Sequence, residues 1–225
     1  MSRRIKYFGG QHATRPIKSK RQLDELFGSL LNRVERARTP VKQYQAERNY
    51  MLVLMGVNTA FRAEDLLQLR VVDVVKGYFS IRENKTGKMQ NFRMNKALHE
   101  TVLSYIDKWE LKPYDYLFRG QMREFNGKRY VYPITRQQGH AIVSSAGLAI
   151  GIDYTFGLHS LRKTFGYHYI LGGGKVLTLM KMFNHDDPEV TLRYICWGTD
   201  DAERDREAFF LGPKGRGKSP PKDRV

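Results

Sequence analysis

Apolar residues recur at helical spacing along most of the chain and alternate, as in a strand, over one short stretch. Leu23, Leu26, Phe27, Leu30 and Leu31 repeat every three or four positions and predict a helix opening near Arg21. Thr39-Pro40 starts a second helix, because Thr caps well and Pro suits the first helical position, and Tyr44, Met51, Leu52, Leu54 and Met55 supply its apolar side. Asn58-Thr59 interrupts it, and a third helix begins near Arg62. Glu64 and Asp65 occupy its first turn, where the helix dipole favours acids, and Leu66, Leu67 and Leu69 face inward. The period changes to two over Tyr78 to Glu83 and Lys88 to Met94, and the intervening Asn84-Lys85-Thr86-Gly87 makes this a β-hairpin.

Leu98, Val102, Tyr105, Ile106 and Trp109 mark another helical face. Gln121 to Pro133 is polar and turn-rich and reads as a loop, with short strands around Tyr130 and Tyr132 as its only regular pieces. Thr135 caps a helix running to about Ile150, and a further helix follows Leu158 and stops at Gly172-Gly173-Gly174. Val176, Leu179, Met180 and Phe183 belong to the next. Asp187-Pro188 is a helix start, and a last helix runs from Thr199 to Phe209, Phe210 and Leu211. The expected class is α+β, mainly helical with a small antiparallel sheet. A basic arm over residues 1–20, a folded unit over 21–211 and a Gly-, Pro- and Lys-rich disordered tail over 212–225 complete the expected organisation.

Twelve Phe, thirteen Tyr and eight Met supply core enough to exclude a wholly disordered chain. No run approaches the roughly 18 apolar residues of a membrane helix, and no apolar stretch follows the basic first residues to make a signal peptide. The single Cys196 cannot form an internal disulfide, which points to a reducing compartment, the cytoplasm. The net charge of +16 points to a polyanion as partner. Its distribution says more. Arg3, Arg4, Lys6, Arg15, Lys18, Lys20 and Arg21 precede the first acid, whereas the stretch from Asp186 to Gly212 is acidic.

Some motifs fail on inspection. Gly172-Gly173-Gly174-Lys175 puts Val176 where a phosphate loop needs Ser or Thr, so it is a turn between helices. Asp186-Asp187-Pro188-Glu189 has no second acidic cluster to share metals with and reads as a helix cap. His159, His168, His185 and Cys196 lack the paired spacings of a zinc site, so no structural metal is expected.

One dispersed set remains: Arg62 in Asn58-Thr59-Ala60-Phe61-Arg62-Ala63-Glu64-Asp65, Lys85 in the hairpin turn, His159-Ser160-Leu161-Arg162, Asn184-His185, and Tyr194 nine residues after His185. In order, spacing and local context this set resembles the tyrosine recombinase (phage integrase) family over about residues 20–211, most of all the integrases of phages and mobile elements of Gram-positive bacteria. Two departures stand out: Ala60-Phe61 replaces Gly-Leu before Arg62, and Asn184 replaces Gly before His185. The sequence is also expected to lack the N-terminal core-binding domain that closes most members around a duplex.

The resemblance implies a tyrosine recombinase catalytic-domain fold and DNA strand transfer through a 3′-phosphotyrosyl intermediate, needing no cofactor. Tyr194 is then the nucleophile, and His159 the base. Arg62, Arg162 and His185 hold the nonbridging phosphate oxygens, and Lys85 protonates the leaving 5′ oxygen, with Lys88 a competitor for that role. Asp65 is expected to hold Arg62, although Arg62 alone reads equally as paired with Glu64 or Asp65. Lys88, Lys163, Arg136, Arg3, Arg4, Lys18, Lys20 and Arg21 are the expected DNA contacts. Expected partners are double-stranded DNA carrying specific sites, a four-protomer synapse formed by a chain monomeric when free, and an accessory DNA-bending or directionality factor. The outcome would be integration, excision, inversion or resolution. The alternatives are a topoisomerase IB-like relaxing enzyme and a catalytically silent DNA-binding regulator. The acidic last helix resembles an element that relatives dock on a neighbouring protomer, and docking in cis or in trans stays open.

Overall fold

A computed structural model describes residues 13–83 and 87–209. Helix α1 (Lys20–Arg36) is capped by the Ser19 hydroxyl and buries Leu26 and Leu30. Helix α2 (Pro40–Thr59), with Thr39 as cap and Pro at its first position, runs through the centre of the molecule and buries Met51, Leu52, Val53 and Met55. Short helices α3 (Ala63–Leu67) and α4 (Val71–Val74) lead into strands β1 (Tyr78–Arg82) and β2 (Met89–Arg93), an antiparallel pair in the register Tyr78↔Arg93 to Arg82↔Met89. Helix α5 (Lys96–Lys108) follows, capped by Asn95.

The strand expected around Tyr130 and Tyr132 is β4 (Lys128–Pro133), but the rest of the segment expected to be a loop is also strand, β3 (Arg119–Phe125), and the two pair as a second hairpin. Asn126 and Gly127 both take positive φ, 51° and 68°, as a two-residue hairpin turn of matching twist requires. That Asn-Gly pair was the available signal; the polar flanks hid it, because a ribbon exposed on both faces shows no apolar alternation.

Helix α6 (Arg136–Ala149) opens with a capping box between Thr135 and Gln138. Helices α7 (Leu158–Leu171), α8 (Val176–Phe183), α9 (Pro188–Tyr194) and α10 (Thr199–Ala208) finish the chain. The last helix ends at Ala208, with Phe209 extended and exposed, while Phe210, Leu211 and the tail lie outside the described residues.

Two buried clusters hold these elements. The larger joins α1, α2, α5, α6 and the start of α7. The smaller, around Ala60, Tyr167, Leu179, Phe183 and Ile195, packs α8 and α9 on α7. A glycine sets the approach at each: a Cβ on Gly56 of α2 would sit 2.5 Å from Leu161, and one on Gly166 of α7 would sit 2.6 Å from Ile195 and 2.7 Å from Phe183.

Residues 14–18 belong to the folded unit. Ile17 is fully buried. Its N–H donates to Thr164 Oγ1 at 2.9 Å, and its carbonyl accepts from His168 Nε2 at 3.0 Å. Lys18 reaches Asp201, which is 1% exposed and also accepts from Tyr167 Oη and from the Gly198 N–H, both within 2.8 Å. This one carboxylate ties the N-terminal segment, α7 and α10 together within a single chain. Burial pushes the Asp201 carboxyl up, but its donors, Lys18 first, leave it below the usual carboxylate range.

A depressed carboxylate stabilises the fold above its unfolded pKa and loses that contribution as pH falls through the folded one. Asp201→Asn is therefore expected to lose about 1–3 kcal/mol at pH 7. In urea unfolding series its deficit should shrink as the pH falls below about 4, the value of the unfolded carboxyl, and on through the lower value of the folded one.

Candidate active site

Distant segments meet at the C-terminal end of α8. The Phe183 carbonyl is among the last four of that helix, which have no partner within it. Arg162 of α7 donates to it from Nη2 at 2.9 Å, and Arg62 donates from its own Nη2 at 3.3 Å.

Each arginine is brought there by local structure. Ala60 takes a left-handed conformation, φ 61°, and ends α2. Phe61 then buries against Phe79 and Phe92 of the first hairpin, with ring centroids 5.7 and 5.1 Å away. Arg62 follows, extended, as the N-cap of α3. Its guanidinium forms an ion pair with Glu83 at the root of that hairpin, a side chain with no exposed surface. Arg162 is 3% exposed and lies 4.5 Å from the Phe183 ring centroid. Burial lowers its pKa and Arg62 adds to that, while Glu83 and Asp65 oppose it. A guanidinium stays charged through such shifts.

His185 follows in the turn after α8, with Nδ1 3.0 Å from Thr191 Oγ1. Tyr194 ends α9, its ring edge-on to His185 at 5.3 Å and to Phe183 at 5.4 Å, with Lys163 Nζ 5.0 Å from its centroid. Burial pushes the Tyr194 phenol up, and Arg162 and Arg62 pull against it without cancelling the effect. The phenol is therefore neutral at pH 7 and needs a proton acceptor to react. His159, in the first turn of α7, is held below the usual histidine value by burial and by Arg136, Arg162 and Lys163. It is neutral at the same pH, as an acceptor must be. Burial, then Arg162 and Arg62, also lower His185.

Arg62, Arg162, His185 and Tyr194 thus share one site, and His159 lies within the electrostatic reach of Arg162 and Lys163. Lys85, Arg3 and Arg4 lie outside the described residues. Lys88 stands beside the hairpin turn, 3.7 Å from Asp186. Lys163 donates to the Thr14 carbonyl at 2.6 Å, Arg136 pairs with Glu64 at 3.2 Å, Lys18 with Asp201, and Arg21 with Glu25 at 2.9 Å. Lys20 is exposed at the start of α1. Asp65 is buried in the first turn of α3.

Residues 28–197 match the family model described as the phage integrase family. The chain belongs to the phage integrase family. It is 32% identical over 185 residues to a probable integrase/recombinase of Bacillus subtilis (strain 168), YoeC, covering 82% of this chain and 90% of that one. The tyrosine recombinase XerD of Staphylococcus haemolyticus is 25% identical over 143 residues, which are 60% of this chain and 45% of that relative. Among solved structures, XerA recombinase superposes with a TM-score of 0.64 at 18% identity, over 87% of this chain and 64% of its own. The Tn1549 transposon integrase in complex with circular intermediate DNA gives 0.59 at 17%, over 88% and 68%. The chain therefore spans most of the Bacillus relative, about half of XerD and about two thirds of these structures.

Within the phage integrase family fold, both departures seen in the sequence fall on left-handed backbone. Asn184, φ 51°, replaces a glycine at a position that asparagine tolerates well. Ala60 replaces one at a cost of about 1–2 kcal/mol, offset here by its burial under α7 and α8. Two side chains escaped sequence reasoning. Glu83 reads as a strand end, and nothing local says that an acid there is buried against an arginine 21 positions earlier. Thr191 did leave a signal, since three residues before Tyr194 places it on the same face of α9.

Removing one partner of a buried ion pair costs more than the pair contributes. Glu83→Gln is expected to destabilise the fold by about 3 kcal/mol in urea unfolding. Combined with Arg62→Gln it should lose at least about 1 kcal/mol less than the two single changes added.

Proposed function

We propose that this chain is a site-specific DNA recombinase that cuts and rejoins strands through Tyr194. The observation that carries the reading is the convergence of Arg62 and Arg162 on one carbonyl oxygen, with His185 and Tyr194 packed edge to face beside it. Direct attack on a phosphodiester passes through a state with extra negative charge on its nonbridging oxygens. Two planar guanidinium forks and an imidazole answer that charge with directed hydrogen bonds. Arg162, 3% exposed, presents donors that are already largely dehydrated.

In this mechanism the Tyr194 oxygen attacks the phosphorus and His159 accepts the phenol proton. The bond to the 5′ oxygen breaks, and that oxygen takes a proton from Lys85, leaving a free 5′-hydroxyl and a 3′-phosphotyrosine. Attack by another strand's 5′-hydroxyl reverses the steps and restores the phenol. The bond energy is kept in the covalent link throughout, so no external energy source is needed. Double-stranded DNA is the substrate, and a synapse of four such chains is the assembly in which strands would be exchanged.

A nicked suicide substrate carrying the cognate site should trap a covalent DNA adduct on the wild type and none on Tyr194→Phe, as read on denaturing gels. An adduct that persists in Tyr194→Phe would sink the assignment. Because burial and the neighbouring cations hold His159 and His185 below the usual value, adduct formation should stay level down to about pH 6.5 and fall only at more acid pH.

The first residues should add phosphate contacts. Truncation must stop at residue 12, because Thr14 and Ile17 are built into the fold. Deleting residues 1–12 is expected to weaken DNA binding. It should also reduce the log-log salt slope of DNA binding by about 0.9 for each phosphate that Arg3, Arg4 or Lys6 neutralises in the whole chain. An unchanged slope would make those residues a solvated tail.

A further inference from the structure

Thr191 is fully buried on α9, and its Oγ1 lies between two groups: the Asp187 carbonyl at 3.1 Å and His185 Nδ1 at 3.0 Å. A threonine hydroxyl carries a single proton, so it donates to one of them. If it donates to Asp187, Nδ1 must carry a hydrogen to satisfy the contact, and Nε2 of the neutral ring is left with a lone pair. If it donates to His185, the proton of the neutral ring sits on Nε2.

The surroundings favour the second arrangement. The Asp187 carbonyl also accepts the Thr191 backbone N–H at 3.2 Å, so turning the hydroxyl toward His185 leaves no buried acceptor orphaned. His185 faces Arg62 of α3, Arg162 of α7, Glu83 at the hairpin root, its neighbour Asp186, and Tyr194 of α9. The two arginines make this an anion site, where a ring nitrogen bearing a lone pair would repel a phosphate oxygen and an N–H would bind it.

We propose that Thr191 is a positioning residue whose buried hydroxyl donates to His185 Nδ1, fixing the neutral ring with its proton on Nε2 for the phosphate held by Arg62 and Arg162. The proposal rests on the recombinase reading of the site. It also links two parts of the reaction. Thr191 and Tyr194 lie three residues apart on one face of α9, so the hydroxyl that orients the phosphate donor rides on the nucleophile's helix.

The test uses the full chain with Thr191→Val, which keeps the shape and removes the hydroxyl, and Thr191→Ser, which keeps the hydroxyl. Nitrogen-15 shifts of the His185 ring should report a proton on Nε2 at pH 7.5 in the wild type and in Thr191→Ser, and a mixture of tautomers in Thr191→Val. Single-turnover adduct formation at saturating suicide substrate should fall roughly tenfold or more in Thr191→Val, with DNA affinity unchanged, and recover to near wild type in Thr191→Ser. Either readout staying at its wild-type value in Thr191→Val overturns the proposal. So does a Thr191→Ser that fails as badly as Thr191→Val, which would make the role one of methyl packing. If the wild type forms no adduct at all, the recombinase reading fails, and the ring shifts still decide whether Thr191 sets the tautomer.

Discussion

Two guanidinium groups that share one carbonyl oxygen, Arg162 buried and Arg62 part-buried, are the constraint on which this structure depends. Arg62 and Arg162 repel each other, and burial strengthens that repulsion, so the fold must supply negative charge around them. It does so with the carbonyl at the negative end of α8, with the buried Glu83, and with Asp65 one turn along α3. The close packing at Gly166 brings Phe183 onto α7 and so carries the shared carbonyl to Arg162. An anion arriving from solvent meets cations that are already oriented and largely dehydrated, the state in which hydrogen bonds to a charged transition state are strongest.

Shared contacts tie the rest of the molecule to the site. Phe183 packs under Arg162, His185 and Tyr194 at once. Lys163 stands over the Tyr194 ring and is held from behind by the Thr14 carbonyl, so the extended N-terminal segment supports the nucleophile's surroundings as well as the core. Asp201 joins that segment to α7 and α10 through Lys18 and Tyr167. Lys18, expected as a DNA contact, is engaged in this joint with the first turn of α10.

Much of the fold was legible because its signals are local. Caps at Thr39, Thr135 and Asp187, apolar spacing along α1, α5 and α8, and the alternation around residues 78–94 depend only on neighbours within a turn or a pleat. Of the second hairpin only the strand around Tyr130 and Tyr132 was read, and the pairing was missed because both faces meet solvent, which leaves the Asn126-Gly127 turn as the mark of a strand pair.

For the site, the sequence alone determined the set of residue types and their order: two arginines, two histidines and a tyrosine at fixed spacing, with a hairpin lysine between. Such a set is readable because the chemistry dictates which side chains must be present, whatever surrounds them. Only the tertiary structure decided what each one touches. That Arg62 leans on Glu83, that both arginines meet at Phe183, and that His185 is held by Thr191 are contacts across 21, 121 and 6 positions of chain. Contacts of that kind follow from how helices and the hairpin pack, because burial and neighbouring charge exist only once the chain has folded.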